Sequence, residues 1–399
     1  MSTKSLEKAL KRAPILWHIR QQLYEILVQP TTLKFRHKVY RVACQSTEDA
    51  DKNLLSCITA ARKRGIQVTV ADSGIKVAKY IRTCVSEHCA LRASSRMINC
   101  IEAYHTKEMP MMIQTDMFDL FSRQCRKQGL FHYPRLQVKP EDYWQVAPWS
   151  NYLNSANKRL SALKILKKYT LNNACKTQSS LCGANAITAD GMILLAENMG
   201  NIRFLLGQEK VVIVASAERI VKDLDAAWTY LKIRPVHGFE SGLPASTHIL
   251  SAPSYTDTIS DENGTFGTSS LHLVIVRKGL SPSHTPRCTG CGLCAIVCPA
   301  YEIHGVAYGW HGYSAAAGIL KAWQWGGIQA AKQAGVSLCQ QCGNCSKICP
   351  ARRDPANQIK YIHCKLSDDS GWLLEKKDGA RLARVYNKTV RQMYCIDNA

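Results

Sequence analysis

The sequence predicts a layered α/β domain followed by a smaller, mainly helical domain organised by cysteines. Three observations carry that expectation. Short apolar runs alternate with segments of helical periodicity up to about residue 280. The composition then shifts to Cys, Gly and Ala. Eight of the 18 Cys fall in two runs of identical spacing in that second part. A chain of 399 residues can bury a full core and suggests more than one domain. With 46% hydrophobic residues, disorder is ruled out as its main state. No apolar run reaches the roughly 18 residues that a membrane-spanning helix needs.

Residues 1–60 read as a helical N-terminal segment, with breaks near Pro14 and Pro30. Residues 54–64 read as the end of a helix closed by Gly65. The layered α/β domain is expected over residues 61–280. Ile66 to Val70 alternates as a strand does, and residues 74–87 follow as a helix. Residues 105–155 are assigned only mixed α/β, and residues 157–170 form a basic amphipathic helix candidate. Met192 to Ala196 and Val211 to Ala215 suit buried parallel strands. Residues 217–231 have helical spacing, Ile249-Leu250 and Leu271 to Val276 read as strands, and residues 261–270 as a loop. Residues 281–287 are a linker candidate. The cysteine domain covers residues 281–366, and residues 367–399 are a C-terminal helical tail.

The charge is uneven. The chain carries 52 Lys and Arg against 30 acids, a formal net charge of +22. Residues 1–182 hold 30 of those bases and only 13 of the acids. That basic half is either an ordinary solvated surface or a docking face for an acidic partner or a membrane surface. No nucleic-acid-binding signature accompanies it, so no nucleic acid is expected. The N-terminus lacks a secretory core. A cytoplasmic location is expected, with peripheral membrane attachment as an option and the mitochondrial matrix ranked below it.

The first cysteine run is Cys288, Cys291, Cys294 and Cys298, the last followed by Pro299. The second is Cys339, Cys342, Cys345 and Cys349, followed by Pro350. In this spacing three thiolates wrap one cubane, and the fourth turns to the other cluster. The expectation is two [4Fe-4S] clusters in a ferredoxin-like domain. Cys288, Cys291, Cys294 and Cys349 would hold cluster 1, and Cys339, Cys342, Cys345 and Cys298 cluster 2. Gly290, Gly292 and Gly343 suit the tight bends this requires. Zinc would use paired C-x-x-C units and leave the third and fourth thiols of each run unexplained. Disulfides would not call for two copies of one metal-ligand spacing. The other ten Cys read as small core residues. Between the runs, Trp310, Trp323 and Trp325 read as packing residues, and His304 and His311 as packing or partner contacts.

Four segments in order carry a family resemblance. They are Cys182-Gly183-Ala184-Asn185, then Glu197 through Arg203, then Lys210 through Val221, and the first cluster run followed by Ala307-Tyr308-Gly309-Trp310. Together they resemble the lactate-utilisation B type iron–sulfur subunit, over roughly residues 60–366. The resemblance implies a LUD domain, similar to the CoA-transferase and sugar-isomerase α/β layers. It also implies an L-lactate (2-hydroxy acid) oxidising complex, with a cysteine-rich subunit and a second LUD-type subunit as partners. Met199 stands where the family has an acid, Ile202 where it has a Gly, and Val212 where its strand has a His.

Asn198, Asn201 and Arg203 follow an apolar strand, where open α/β sheets bind ligands. Arg203 suits a carboxylate or phosphate; the alternative is a plain turn with a surface ion pair. No glycine-rich nucleotide fingerprint occurs, so neither flavin nor NAD is expected in this chain. No catalytic residue set stands out. The leading function is an electron-transfer subunit of a lactate-oxidising complex, probed as a subunit of an oxidoreductase and not as a stand-alone enzyme. The alternatives are an iron–sulfur subunit of another dehydrogenase or membrane quinone reductase, and a non-redox oxidant-sensing or binding protein.

Overall fold

The computed structural model describes residues 25–115, 172–236, 246–253, 259–304 and 308–370, apart from short stretches at 86–88, 94, 174–175, 198–201, 262–263, 267 and 283. The helix candidate at 157–170, most of the mixed region at 105–155, and the tail beyond Ser370 lie outside the described residues.

The chain opens with α1 (Pro30–Glu48), which has proline in its first turn, where a missing N–H costs nothing. Next comes α2 (Ala50–Lys63), with Arg62 and Lys63 at its negative end. The first strand is β1 (Gln67–Ala71). Helix α3 (Gly74–Cys84) is capped by Ser73, whose side chain accepts the Lys76 N–H. Then follow β2 (Cys89–Arg92), α4 (Arg96–His105), capped likewise by Ser95, and β3 (Met111–Gln114).

The chain returns with β4 (Ser179–Gly183), β5 (Ala186–Thr188), β6 (Ile193–Glu197), a short helix α5 (Ile202–Leu206) and β7 (Lys210–Ser216). A 3-10 turn at Ala217–Arg219 leads to β8 (Ile220–Val221) and α6 (Leu224–Val236). The remaining strands of this part are β9 (Ser246–Leu250), β10 (Ile259–Asp261), β11 (Gly264–Phe266) and β12 (Ser270–Val276).

Six strands form one wholly parallel sheet in the order β1-β12-β7-β4-β2-β3. Its two-residue period is plain on the central strands. Val212 and Val214 of β7, with Val274 and Val276 of β12, face a core with α3 and α4. Val211, Ile213, Leu271, Leu273 and Ile275 face the opposite core, with Cys57 and Ala61 of α2 and with β5 and β6.

Three expectations are corrected. The run at 192–196 lies antiparallel to β5 and β9 in a second, four-stranded sheet, not in the parallel one. A short apolar run carries no information on strand direction, which here is set by the tight β5–β6 turn. The segment at 217–231 begins as a turn and strand before its helix, because Ile220 and Val221 pair with Ile187 and Thr188. The loop at 261–270 holds strand β11, paired with β10.

The cysteine domain contains α7 (Leu293–Ile296), α8 (Pro299–His304), a small hairpin of β13 (Gly309–Trp310) and β14 (Tyr313–Ser314), α9 (Ala315–Gln333), α10 (Asn344–Ile348) and α11 (Pro355–Ser370). Helix α9 kinks at Gly326 and Gly327, where the backbone leaves helical angles. Ile319, Leu320 and Trp325 of α9 share the core of α3, α4, β7 and β12. The two domains therefore have a continuous interior. The linker candidate is tied down accordingly. The Arg287 guanidinium donates to the carbonyls of Ala217 and Ile220, and its backbone N–H to Thr47 Oγ1. No helix among the described residues is long and apolar enough to cross a membrane.

Candidate metal centre

The two cysteine runs fold alike. In each, the glycine after the second cysteine has a left-handed backbone (Gly292, φ 85°; Gly343, φ 78°) and starts a short helix, α7 or α10, that carries the third cysteine. The residue before the second cysteine is also left-handed: Gly290 with φ 73°, and Gln341 with φ 51°. These bends turn backbone N–H groups onto sulfur. Gly290 donates to Cys288, Leu293 to Cys291, and Gln341 to Cys339. A Cβ on Gly290 would lie 2.8 Å from Arg219 Nη2, so glycine is needed there for space as well as for φ. The space beside Gly292 and Gly343 is open.

The thiols then group across the runs. Cys291 and Cys294 share the electrostatic influence of Cys288 and Cys349. Cys298 is under that of Cys339, Cys342 and Cys345. The fourth cysteine of each run thus stands with the first three of the other. One cavity is lined by all of Cys298, Cys339, Cys342 and Cys345, together with Tyr308 and Gly343. Among the described residues no three His, Cys, Asp or Glu side chains close on a single point. A lone zinc ion would draw sulfurs to about 2.3 Å from itself. Four soft thiol donors in each group, with backbone N–H groups aimed at sulfur, are the donor set of an iron–sulfur cluster.

The two groups differ in their surroundings. Burial would push the Cys288 thiol up, but Arg353 and Arg219, with the Gly290 N–H, hold it below its ordinary value. Burial pushes Cys291 up to about 12, with Cys349 adding to the effect. In the second group burial pushes Cys298 and Cys345 up to about 12, with the neighbouring thiols adding to it. Cys339 is raised too, against the hydrogen bond from Tyr308. Cys342 is exposed.

The cations of the first group are anchored in the α/β domain. Glu218, in the turn after β7, is buried. Its carboxylate accepts from Lys321 Nζ of α9 (3.1 Å) and from the Ser281 N–H (2.6 Å). Burial would raise the Glu218 carboxyl, but Lys321 and Arg353 hold it far below the usual carboxylate range. Arg353 donates from Nη2 to Ser281 Oγ at 2.7 Å and is hydrogen-bonded to Cys288. Its Nε is buried and has no partner among the described residues. Arg219 donates to the Thr289 carbonyl at 2.8 Å. An unsatisfied donor beside four thiols is what a bound group with further sulfur acceptors would complete.

With that geometry in place, the comparisons are informative. Residues 55–276 match the LUD domain, which is more than half of the chain.

The chain belongs to the LUD domain family.

Residues 285–352 match the 4Fe-4S dicluster domain and contain both cysteine runs. Lactate utilization protein B 1 of Bacillus mycoides (strain KBAB4) is 28% identical over 198 residues, covering 47% of this chain and 39% of that protein. The match therefore spans well under half the length of the relative. No solved structure matches.

Within the LUD domain, the expected ligand turn is only partly described. Asn198 and Asn201 lie outside the described residues, and Arg203 is exposed on α5. The turn has a feature that sequence reading missed. Buried Glu197 ends β6, accepts the Ile202 N–H that begins α5, and meets His248 Nε2 at 2.7 Å and Ser246 Oγ at 3.2 Å. Burial would raise its carboxyl, but His248, the Ile202 N–H and Ser246 hold it below its usual range. Also missed were Glu218, Arg219, Lys321 and Arg353. Only an Arg shortly after Cys349 and an acid–base pair after an apolar strand hinted at them, and both patterns are common on surfaces.

Proposed function

We propose that this chain is an iron–sulfur electron-transfer subunit of a complex oxidising L-lactate or a related 2-hydroxy acid. The crossed grouping of eight thiols carries the reading: Cys288, Cys291, Cys294 and Cys349 would hold one [4Fe-4S] cluster, and Cys339, Cys342, Cys345 and Cys298 the other. When bound, such clusters supply one-electron carriers that exchange no protons or atoms. The chain's own residues supply the rest. Backbone N–H groups, among them that of Ala317 in α9 onto Cys294, stabilise thiolate charge, and exposed Cys342 leaves the second site near the surface. No flavin or NAD is assigned to this chain.

The likeness to a lactate utilization protein supports 2-hydroxy acid oxidation as the setting. A cysteine-rich subunit and a second LUD-type subunit would be its partners. The basic first half would hold an acidic partner or a membrane surface, in the cytoplasm. A second reading keeps the LUD domain as a scaffold for another dehydrogenase; Met199 in place of the family's acid favours it.

Anaerobic purification of the native complex tests both. About eight irons per chain, reversible reduction, and co-purification with subunits that reduce the clusters from lactate are expected. About two zincs per chain would overturn the cluster assignment. Clusters that ignore lactate but follow another donor would leave the scaffold reading.

A further inference from the structure

Arg353 is nearly enclosed, bonded to Ser281 Oγ, and in contact with Cys288, yet keeps its Nε without a partner among the described residues. Burying a guanidinium donor with nothing to bond is costly unless something else accepts from it. Gln358 of α11 donates to the Arg353 carbonyl, and the guanidinium itself is fixed at the seam between the domains. Ser281 is itself held by the Glu218 carboxylate through its N–H, and Glu218 is matched by Lys321. Arg219, the next residue in the same turn, reaches the Thr289 carbonyl and packs on Gly290, inside the first cysteine run. Arg36 of α1 donates to the Ile348 carbonyl and bears on Cys291 and Cys349.

We propose that Arg353, with Arg219, acts as a positioning residue that makes the Cys288-Cys291-Cys294-Cys349 site the more easily reduced of the two, so that the LUD domain decides where a single electron rests.

This rests on the cluster assignment proposed above. Reduction adds one electron to a cluster and its four thiolates. No bond forms or breaks and no proton is taken up, so the site simply becomes one unit more negative. Positive charge and N–H donors to sulfur stabilise that extra charge and raise the potential; burial away from water opposes it. At the first site the guanidinium groups of Arg353, Arg219 and Arg36 face the thiols, and the single nearby acid, Glu218, is occupied by Lys321. At the second site burial is the largest influence on Cys298, Cys339 and Cys345; the Tyr301 N–H and the Tyr308 hydroxyl oppose it at Cys298 and Cys339, and the neighbouring thiols add to it, most at Cys345. The cations therefore outweigh burial at Cys288, although burial still raises Cys291, Cys294 and Cys349, and no cation is among the leading influences on Cys298, Cys339 and Cys345 of the second site.

The test is an EPR-monitored redox titration of the full chain with its clusters, in wild type, Arg353→Gln, Arg219→Gln and Arg219→Lys. Iron content is measured on each sample, and Cys288→Ser identifies the wave that belongs to the first site. Wild type should show two waves, with the first site at higher potential. Arg353→Gln should lower that wave alone, by at least tenfold in the reduction equilibrium constant, which is about 59 mV for one electron. Arg219→Gln should lower it by a smaller factor, and Arg219→Lys should restore most of the loss. If Arg353→Gln does not fold, the Arg219 pair decides. Variants with full iron whose first-site wave stays in place, or a first site below the second in wild type, would overturn the inference and leave the cluster assignment standing. Wild type without iron would remove both.

Discussion

The two cysteine groups share one local design and differ in what lies behind it. Both use a left-handed residue before the second cysteine, and a left-handed glycine that starts the helix carrying the third. The first group is pressed against the turn after β7, with Arg353, Arg219 and Glu218 around it. The second opens into a cavity beside exposed Cys342, and no cation among the described residues is a leading influence on Cys298, Cys339 or Cys345. Ligand spacing is therefore a property of eleven-residue segments, and the character of each site is a property of the neighbouring domain.

The largest test of this comparison removes thiols. Cys288→Ser and Cys349→Ser should lose the same half of the iron, about four of eight atoms, while Cys298→Ser and Cys339→Ser lose the other half. Iron assay with EPR checks it; if loss followed the runs and not the crossed groups, the shared design would be misread. Next in size is Glu218→Gln, which leaves Lys321 and Arg353 without their buried counter-charge. It should cost about 3–5 kcal/mol of unfolding free energy, read from denaturant midpoints. The folded carboxyl of Glu218 is depressed, so its contribution is fully present above the unfolded value of about 4.3 and is lost as pH falls toward the folded one. The gap between wild type and Glu218→Gln should hold at pH 7 and begin to shrink below about pH 4.

Glycine replacements give smaller effects that still separate the two regions. Gly290→Ala combines a positive φ with a clash on Arg219 and should cost about 2–3 kcal/mol. Gly343→Ala has the same backbone strain with open space around it, and should cost about 1 kcal/mol. The smallest change is Gln341→Gly, which relieves a positive φ on a residue with a side chain. It should raise stability by up to about 1 kcal/mol, measured by thermal or denaturant unfolding.

Much of the fold was legible where the signal is local. The strands near 66–70, 211–215 and 271–276 stand within a residue or so of where periodicity put them, because the two central strands must be apolar on both faces and the edge strand β1 alternates. The left-handed bends of each cysteine run were legible too, at Gly290, Gly292 and Gly343, because the spacing of thiols within a run is set over a few bonds. The direction of β6 was not, since a five-residue apolar strand reads the same both ways. Nor was the seam of Glu218, Lys321 and Arg353. Its members lie far apart in the chain, and each alone resembles an ordinary surface charge. At the end of β6 the motif carried no sign of the Glu197–His248 pair, whose members lie about fifty residues apart in the chain.

The crossing of the fourth cysteines also bears on how the protein comes to be made. Cys349 follows the whole insert, including the kinked α9 and its packing on β7 and β12. The first thiol group therefore draws on residues from both ends of that insert. A nascent or shortened chain ending before α10 would present three thiols and no fourth. Loop closure over that distance is slow compared with forming either short helix. A chain caught midway thus offers the first site only part of the thiol group that the finished fold brings together.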